Sequence, residues 1–336
     1  MDSGWQTGRF VHLFFLDGVG LGNAAPDSNP YLSANLAGLT RRLGPDWFLN
    51  GREPIITPQL SLVPTDANLG MPGRPQSATG QATILTGRNV PAAIGTHYGP
   101  KPNAAVRAEI DKGTIFSAVT AAGGRAALIT PYPQGYFDGL TSGKRLLSAV
   151  PYAATQAGLD LLTAADLQAG RAVSPGFTGQ AWRDHLGYDD IPLLSLAEAG
   201  QQIAAIARQH QFSFFEHWPS DRAGHRGSLA AAAQHLETVA AVIDSLLDNW
   251  DYENGLLIIT SDHGNIEDKS HRNHTLNPVP TILAGPGQAE YAGRIHDLTD
   301  LVPIIRDFLG LAEGLGQPDG LADPTGRSTP HPGNLP

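Results

Sequence analysis

The chain has 336 residues, 41% of them apolar and 16% charged, which suits one large α/β domain or a core with a small inserted unit. Its net charge of -10 argues against a nucleic-acid binder, which needs a basic surface to displace counterions. A small anionic substrate stays open, because bound cations can reverse the local field. The absence of cysteine excludes disulfides and thiolate metal sites. No run of about 18 apolar residues is present, and the polar start Met1–Arg9 lacks the marks of a signal peptide. No membrane partner and a cytoplasmic location are therefore expected.

In chain order, the first apolar run, Val11–Leu16, predicts a buried strand that ends at Asp17. The turn-rich Gly70-Met71-Pro72-Gly73 then leads to Ser77, which stands ahead of a helix-like segment. A helical pattern over Ile115–Ala122 stops at Gly123-Gly124, and Ala126–Ile129 predicts the second strand. Between 131 and 192 the pattern loosens into Gly, Ala, Tyr and Pro, with Lys144, Arg145, Arg171 and Arg183; a small inserted cap is expected there. Leu194–Arg208 predicts a helix and Phe212–Phe215 a strand, with Asp221 close behind. Over Ser228–Trp250, Leu229, Ala232, Leu236, Val239, Ile243, Leu246 and Trp250 recur at three and four, predicting the clearest helix. Strands at Leu256–Thr260, just before Asp262, and at Val279–Leu283 complete the pattern, and the tail from 316 to 336 reads as irregular. Buried strands alternating with helices predict a doubly wound, mostly parallel α/β sheet with helices on both faces. Its core would comprise residues 1–130 and 193–315.

Three acids, Asp17, Asp221 and Asp262, follow predicted strands at once or within a few residues. In open parallel sheets the carboxyl ends of strands line the ligand crevice, where three carboxylates would repel one another unless cations held them. Histidines complete the set. Asp221 and His225 are four apart, a spacing from which a short turn can bring both to one ion. Asp262 and His263 are adjacent and can serve different ions from an irregular loop. His274 lies eleven residues further on. Hard oxygens with borderline nitrogens suit Mn²⁺ or Zn²⁺ better than Ca²⁺ or copper. Any one of these pieces is an ordinary turn or surface histidine when met alone; their joint occurrence in order points to metal.

Ser77 heads the segment Gln76–Arg88. At a helix N-terminus, free N–H groups and the helix dipole favour an anion, and a nearby divalent ion would let the hydroxyl ionise without a histidine base. For an isolated serine, the competing role is a simple helix cap.

The order Asp, Ser, Asp-x-x-x-His, Asp-His, His resembles the alkaline-phosphatase superfamily. The branch most similar is that of the cofactor-independent phosphoglycerate mutases and phosphopentomutases. The resemblance rests on Phe15–Gly22, on Gly70-Met71-Pro72 ahead of Ser77, on Asp262-His263-Gly264-Asn265 with Glu267, and on His274–Pro280. Ala82–Arg88 also resembles a sulfatase segment. The resemblance implies two divalent ions, one near Asp17, Ser77, Asp262 and His263 and the other held by Asp221, His225 and His274. It also implies a phosphoseryl intermediate on Ser77 and a small phosphorylated substrate. Gln81 stands where the mutases carry His, and the stretch 131–192 is far shorter than their second domain. That shortness tilts the expectation toward a phosphoesterase, with a phosphomutase as the alternative and a silent metal-binding protein as a third reading. Gln81, Arg88 and Arg222 are candidate substrate contacts, with His97, Lys101 and Arg226 behind them.

Overall fold

A computed structural model describes residues 8–312; the tail expected to be irregular, 316–336, lies outside them. Seven strands form one sheet: β1 Phe10–Leu16, β2 Ile55–Ile56, β3 Leu60–Thr65, β4 Ala126–Leu128, β5 Phe212–His217, β6 Gly255–Ser261 and β7 Val279–Ala284, in the order β2-β3-β7-β6-β1-β5-β4. β4, β5, β1 and β6 pair in parallel. The helices are α1 Ala37–Leu43, α2 Ser77–Thr86, α3 Val90–Ile94, α4 Ala104–Asp111, α5 Ile115–Ala121, α6 Gln134–Thr141 and α7 Ala149–Gln156. They continue with α8 Ala164–Gln168, α9 Gln180–Leu186, α10 Leu196–Ala207, α11 Pro219–Arg226, α12 Leu229–Asp248, α13 Gln288–Ala292 and α14 Leu301–Leu309.

Every residue of β1 is buried, and its alternating side chains supply two separate cores. Val11, Leu13 and Phe15 pack with residues of α2, α5, α7 and α14. Phe14 and Leu16 pack on the opposite face with α1, α10 and α12. Helices therefore cover both faces, and the α/β architecture stands. α12 begins at Ser228, whose side chain accepts the Ala231 N–H, and it buries Leu236, Val239, Ile243 and Leu246. At about 1.5–3 kcal/mol for each large apolar side chain, that stripe outweighs propensity differences of a few tenths.

Two features depart from expectation. β7, expected at Val279–Leu283 as one of the strands of a mostly parallel sheet, runs antiparallel to β6, and β3 runs antiparallel to β7. A strand buried on both faces has the same apolar run in either direction. The connection is consistent with this: residues 262–278 hold no helix, whereas a parallel return usually crosses over through one. β3, together with the two-residue β2, was not anticipated at all. Pro64 inside it, paired with Pro280, removes the usual strand signal.

The stretch 131–192 forms α6 to α9 and no strand. Ala149, Val150, Ala153 and Ala154 of α7 join the first core, and Val173 and Phe177 join the second. Leu167, Ala172, Trp182 and Ile191 make a small core of their own. Among the described residues no helix is long and apolar enough to cross a membrane.

Candidate metal centre and nucleophile

β1 delivers Asp17 and β6 delivers Asp262, each as the first residue past the strand. β5 runs to His217, and Asp221 and His225 follow on α11, a true helix rather than the short turn expected. Four residues apart, they share one helix face. His274 arrives just ahead of β7. With His263 next to Asp262, six side chains converge.

Their hydrogen bonds fix where the histidine lone pairs point. Nδ1 of His225 lies 2.7 Å from the Arg272 carbonyl, and Nδ1 of His274 lies 2.8 Å from the Pro75 carbonyl. A carbonyl only accepts, so both Nδ1 atoms carry the proton and both Nε2 atoms present lone pairs. Those Nε2 atoms face each other at 3.3 Å, with Asp221 Oδ1 at 3.3 Å from one and 3.7 Å from the other. His263 repeats the arrangement: Nδ1 sits 3.3 Å from the Gly264 carbonyl, and Nε2 faces Asp17 Oδ1 at 3.4 Å and Asp262 Oδ2 at 3.6 Å.

Burial disfavours the charged form of each of these groups. Burial pulls His263 down to about 4 and, with His263 beside it, His274 to about 4 as well. Burial and the neighbouring carboxylates push Asp17 well above the usual range, and burial with Asp221 pushes Asp262 up to about 7. Asp17 Oδ1 is buried with no hydrogen-bond partner. Lone pairs and carboxylates facing one another with no donor between them are what a divalent cation satisfies. Asp17, Asp262 and His263 form one compact ligand set, and Asp221, His263 and His274 another. The residues fit metal.

Ser77 is the first residue of α2; Gln76 occupies the N-cap and its side chain makes no capping bond. The Ser77 hydroxyl instead lies 3.1 Å from His263 Nε2, so it belongs to the cluster and does not cap the helix. Gly80 lets α2 come this close, since a Cβ there would stand 2.8 Å from Cβ of Asp262. Thr79, the other hydroxyl nearby, is engaged by the carbonyls of Gln76 and Tyr98.

The metalloenzyme-superfamily sequence model matches residues 191–313, a span that carries five of these seven side chains. That match covers a little over a third of the chain and makes this stretch similar to the metalloenzyme superfamily. Over 135 residues it is 34% identical to the 2,3-bisphosphoglycerate-independent phosphoglycerate mutase of Antithamnion sp., covering 37% of this chain and 26% of that one. Over 97 residues it is 37% identical to the protein of the same name from Syntrophotalea carbinolica, covering 27% of this chain and 19% of that one. The matched stretches thus span only 26% and 19% of these longer mutases. Among solved structures, the PH0037 protein from Pyrococcus horikoshii aligns with a TM-score of 0.52 at 17% identity, covering 92% of this chain and 99% of that one. The C-terminal periplasmic domain of EcEptC from Escherichia coli, in complex with Zn, aligns at 0.51 and 12% identity, covering 94% and 86%. At such identities the likeness is one of fold.

The remaining candidates separate cleanly. Gln81 is buried one turn along from Ser77 and donates its Nε2 to Asp262 Oδ2 at 3.2 Å. Arg88 stands past the far end of α2, about 15 Å along the helix from Ser77. There it bonds the carbonyls of Glu109 and Gly113 and lies 3.6 Å from the Glu109 carboxylate. Its guanidinium is committed to packing α4, which corrects its expected role as a substrate contact. Arg222 and Arg226 are exposed on α11, and His97 faces the backbone of Asn68 and Met71. Lys101 is half-buried beside Glu216.

Sequence reasoning missed Glu216. It is buried near the end of β5, accepts the Tyr132 hydroxyl at 2.9 Å, and is pushed up to about 7 by burial. The sequence offered only an acid within a fully buried strand, with nothing local to name its partner. Asn265 was also given no role, yet it donates to Asp221 Oδ1 at 2.6 Å.

Proposed function

We propose that this chain is a metal-dependent phosphoesterase acting on a small phosphate ester through a phosphoseryl intermediate on Ser77. The observation that supports this most is the Ser77 hydroxyl, free of any capping duty and aimed at the same point as the lone pairs of the ligand cluster. Two divalent ions, Mn²⁺ or Zn²⁺, would be held by Asp17, Asp262 and His263 and by Asp221, His225 and His274. His263 stands close to both sets. When bound, such ions supply Lewis-acid charge that lowers the pKa of a hydroxyl and neutralises phosphoryl oxygens.

The chain's own residues do the rest. The first-turn amides of α2 lack intrahelical acceptors. Those of Thr79 and Gly80 are taken by Tyr98 and Gln76, so the amides of Ser77 and Ala78 remain to meet an anion where the nucleophile sits. Ser77 Oγ attacks phosphorus, the P–O bond to the ester oxygen breaks, and that oxygen leaves with a proton. Water then takes the phosphoryl group from Ser77 and restores the hydroxyl. Gln81 fixes the Asp262 carboxylate, and Asn265 fixes that of Asp221.

Intramolecular transfer to a second hydroxyl is the other reading, favoured by the match to phosphoglycerate mutases. The short stretch 131–192 would then have to hold the substrate while it reorients. A panel of phosphate mono- and diesters with the metal-loaded protein separates the readings. Free phosphate is expected, and an isomeric product would favour the mutase. Turnover of none, by protein carrying both ions, would overturn both.

A further inference from the structure

Three of the site's loops meet at one carboxylate. Glu267 is fully buried. Its Oε2 accepts the N–H of Gly20 at 3.0 Å and that of Asn265 at 2.7 Å. Its Oε1 accepts Nδ2 of Asn277 at 3.1 Å and the hydroxyl of Thr275. All four partners donate, which suits an ionised carboxylate and leaves Glu267 little capacity to serve as a metal ligand itself. Gly20 lies on the loop that Asp17 begins, Asn265 on the loop that Asp262 and His263 begin, and Thr275 and Asn277 flank the run from His274 into β7. Asn265 passes the constraint to α11 through Asp221, by its bonds to the side chain and to the backbone carbonyl at 3.3 Å. The space is made by glycines. A Cβ at Gly20 would stand 2.4 Å from Oε1, and one at Gly264 would stand 2.2 Å from it.

We propose that Glu267 is a positioning residue that holds the ligands of both ions in one register, so that the two sites weaken together when it is lost. The inference rests on the two-ion reading above. Its test is Glu267→Gln, nearly equal in volume, whose amide would turn two N–H groups toward backbone or side-chain donors. Calorimetric titration with Mn²⁺ should show affinity at both sites reduced by about 10–100-fold, and the visible bands of the Co²⁺-loaded protein should shift. Ser61→Ala, which breaks the equally buried Ser61–Gln288 bond, should lower stability and leave affinity and spectrum unchanged. Should Glu267→Gln fail to fold, Thr275→Val removes only one of the four donors and should show a smaller loss, again at both sites. A change confined to one site, or none at either, would overturn the proposal. Wild-type protein that takes up no ions would instead refute the metal reading, and the inference with it.

Discussion

The parallel β4-β5-β1-β6 half of the sheet and the β7-β3-β2 half reach the same site differently, because β7 runs against both of its neighbours. In the parallel half, side chains arrive after the strand: Asp17 past β1, Asp262 past β6, and Asp221 and His225 on the helix after β5. In the other half, β7 runs backwards, so the residue that reaches the site is the one before it, His274. β3 is reversed again relative to β7, and the chain leaves it at the site edge, where residues 66–76 lead to Ser77. Were β7 parallel, the residue preceding it would start about 20 Å away, six residues at ~3.3 Å each. One reversed strand thus brings a histidine to carboxylates that parallel strands place by themselves.

Ser77→Ala tests the contribution of the β3 side and carries the largest expected effect. Turnover should fall by a factor on the order of 10³ or more, with both ions retained. Stability should change by less than about 1 kcal/mol, since Ser77 caps nothing. Thr79→Val should keep most activity; a phosphoryl adduct on Thr79 would move the nucleophile there. Next comes His274→Ala, the test of the reversed strand itself. Metal analysis should show one ion weakened, and kcat/KM should drop on the order of 100-fold. His271→Ala, whose Nε2 lies 3.8 Å from Asp268 and outside the cluster, should stay within about 2-fold. Equal losses from the two substitutions would undo the assignment.

Two smaller effects sharpen the contrast between strand ends and the rest of the fold. Arg88→Ala should lower stability in urea by about 1–3 kcal/mol and leave kcat/KM within about 2-fold; a larger loss of activity than of stability would return Arg88 to the substrate. His12 sits mid-strand in β1, with Nδ1 2.7 Å from Ser213 Oγ, and burial holds it down to about 3. Its folded value lies below the ordinary 6.5, so its contribution is full above pH 6.5 and is lost as pH falls toward 3. His12→Gln should therefore flatten the acid loss of stability by up to about 1.4 kcal/mol per pH unit without changing metal uptake at neutral pH.

The parts of the fold legible in the sequence were those with local signatures. The β1, β5 and β6 runs announce strands by continuous burial, and α12 announces itself by its apolar period. Strand direction has no such signature, which is why β7 was misread. Pro64 hid β3. At the site, Asp17 and Asp262 were legible because they stand at strand ends, and their histidines by spacing. Arg88 misled because a charge near a nucleophile in sequence lies a helix length away in space. Glu216 and Asn265 act through partners distant in the chain, Tyr132 and Asp221, and no local pattern reports such pairs.

Anomalous diffraction from crystals of the Mn²⁺-loaded protein would locate the ions proposed to lie where strand ends of both directions gather these seven side chains. Two peaks are expected: one against Asp17, Asp262 and His263 beside Ser77, and one against Asp221, His225 and His274. A single peak that leaves His274 unengaged, or none within reach of Ser77, would contradict it.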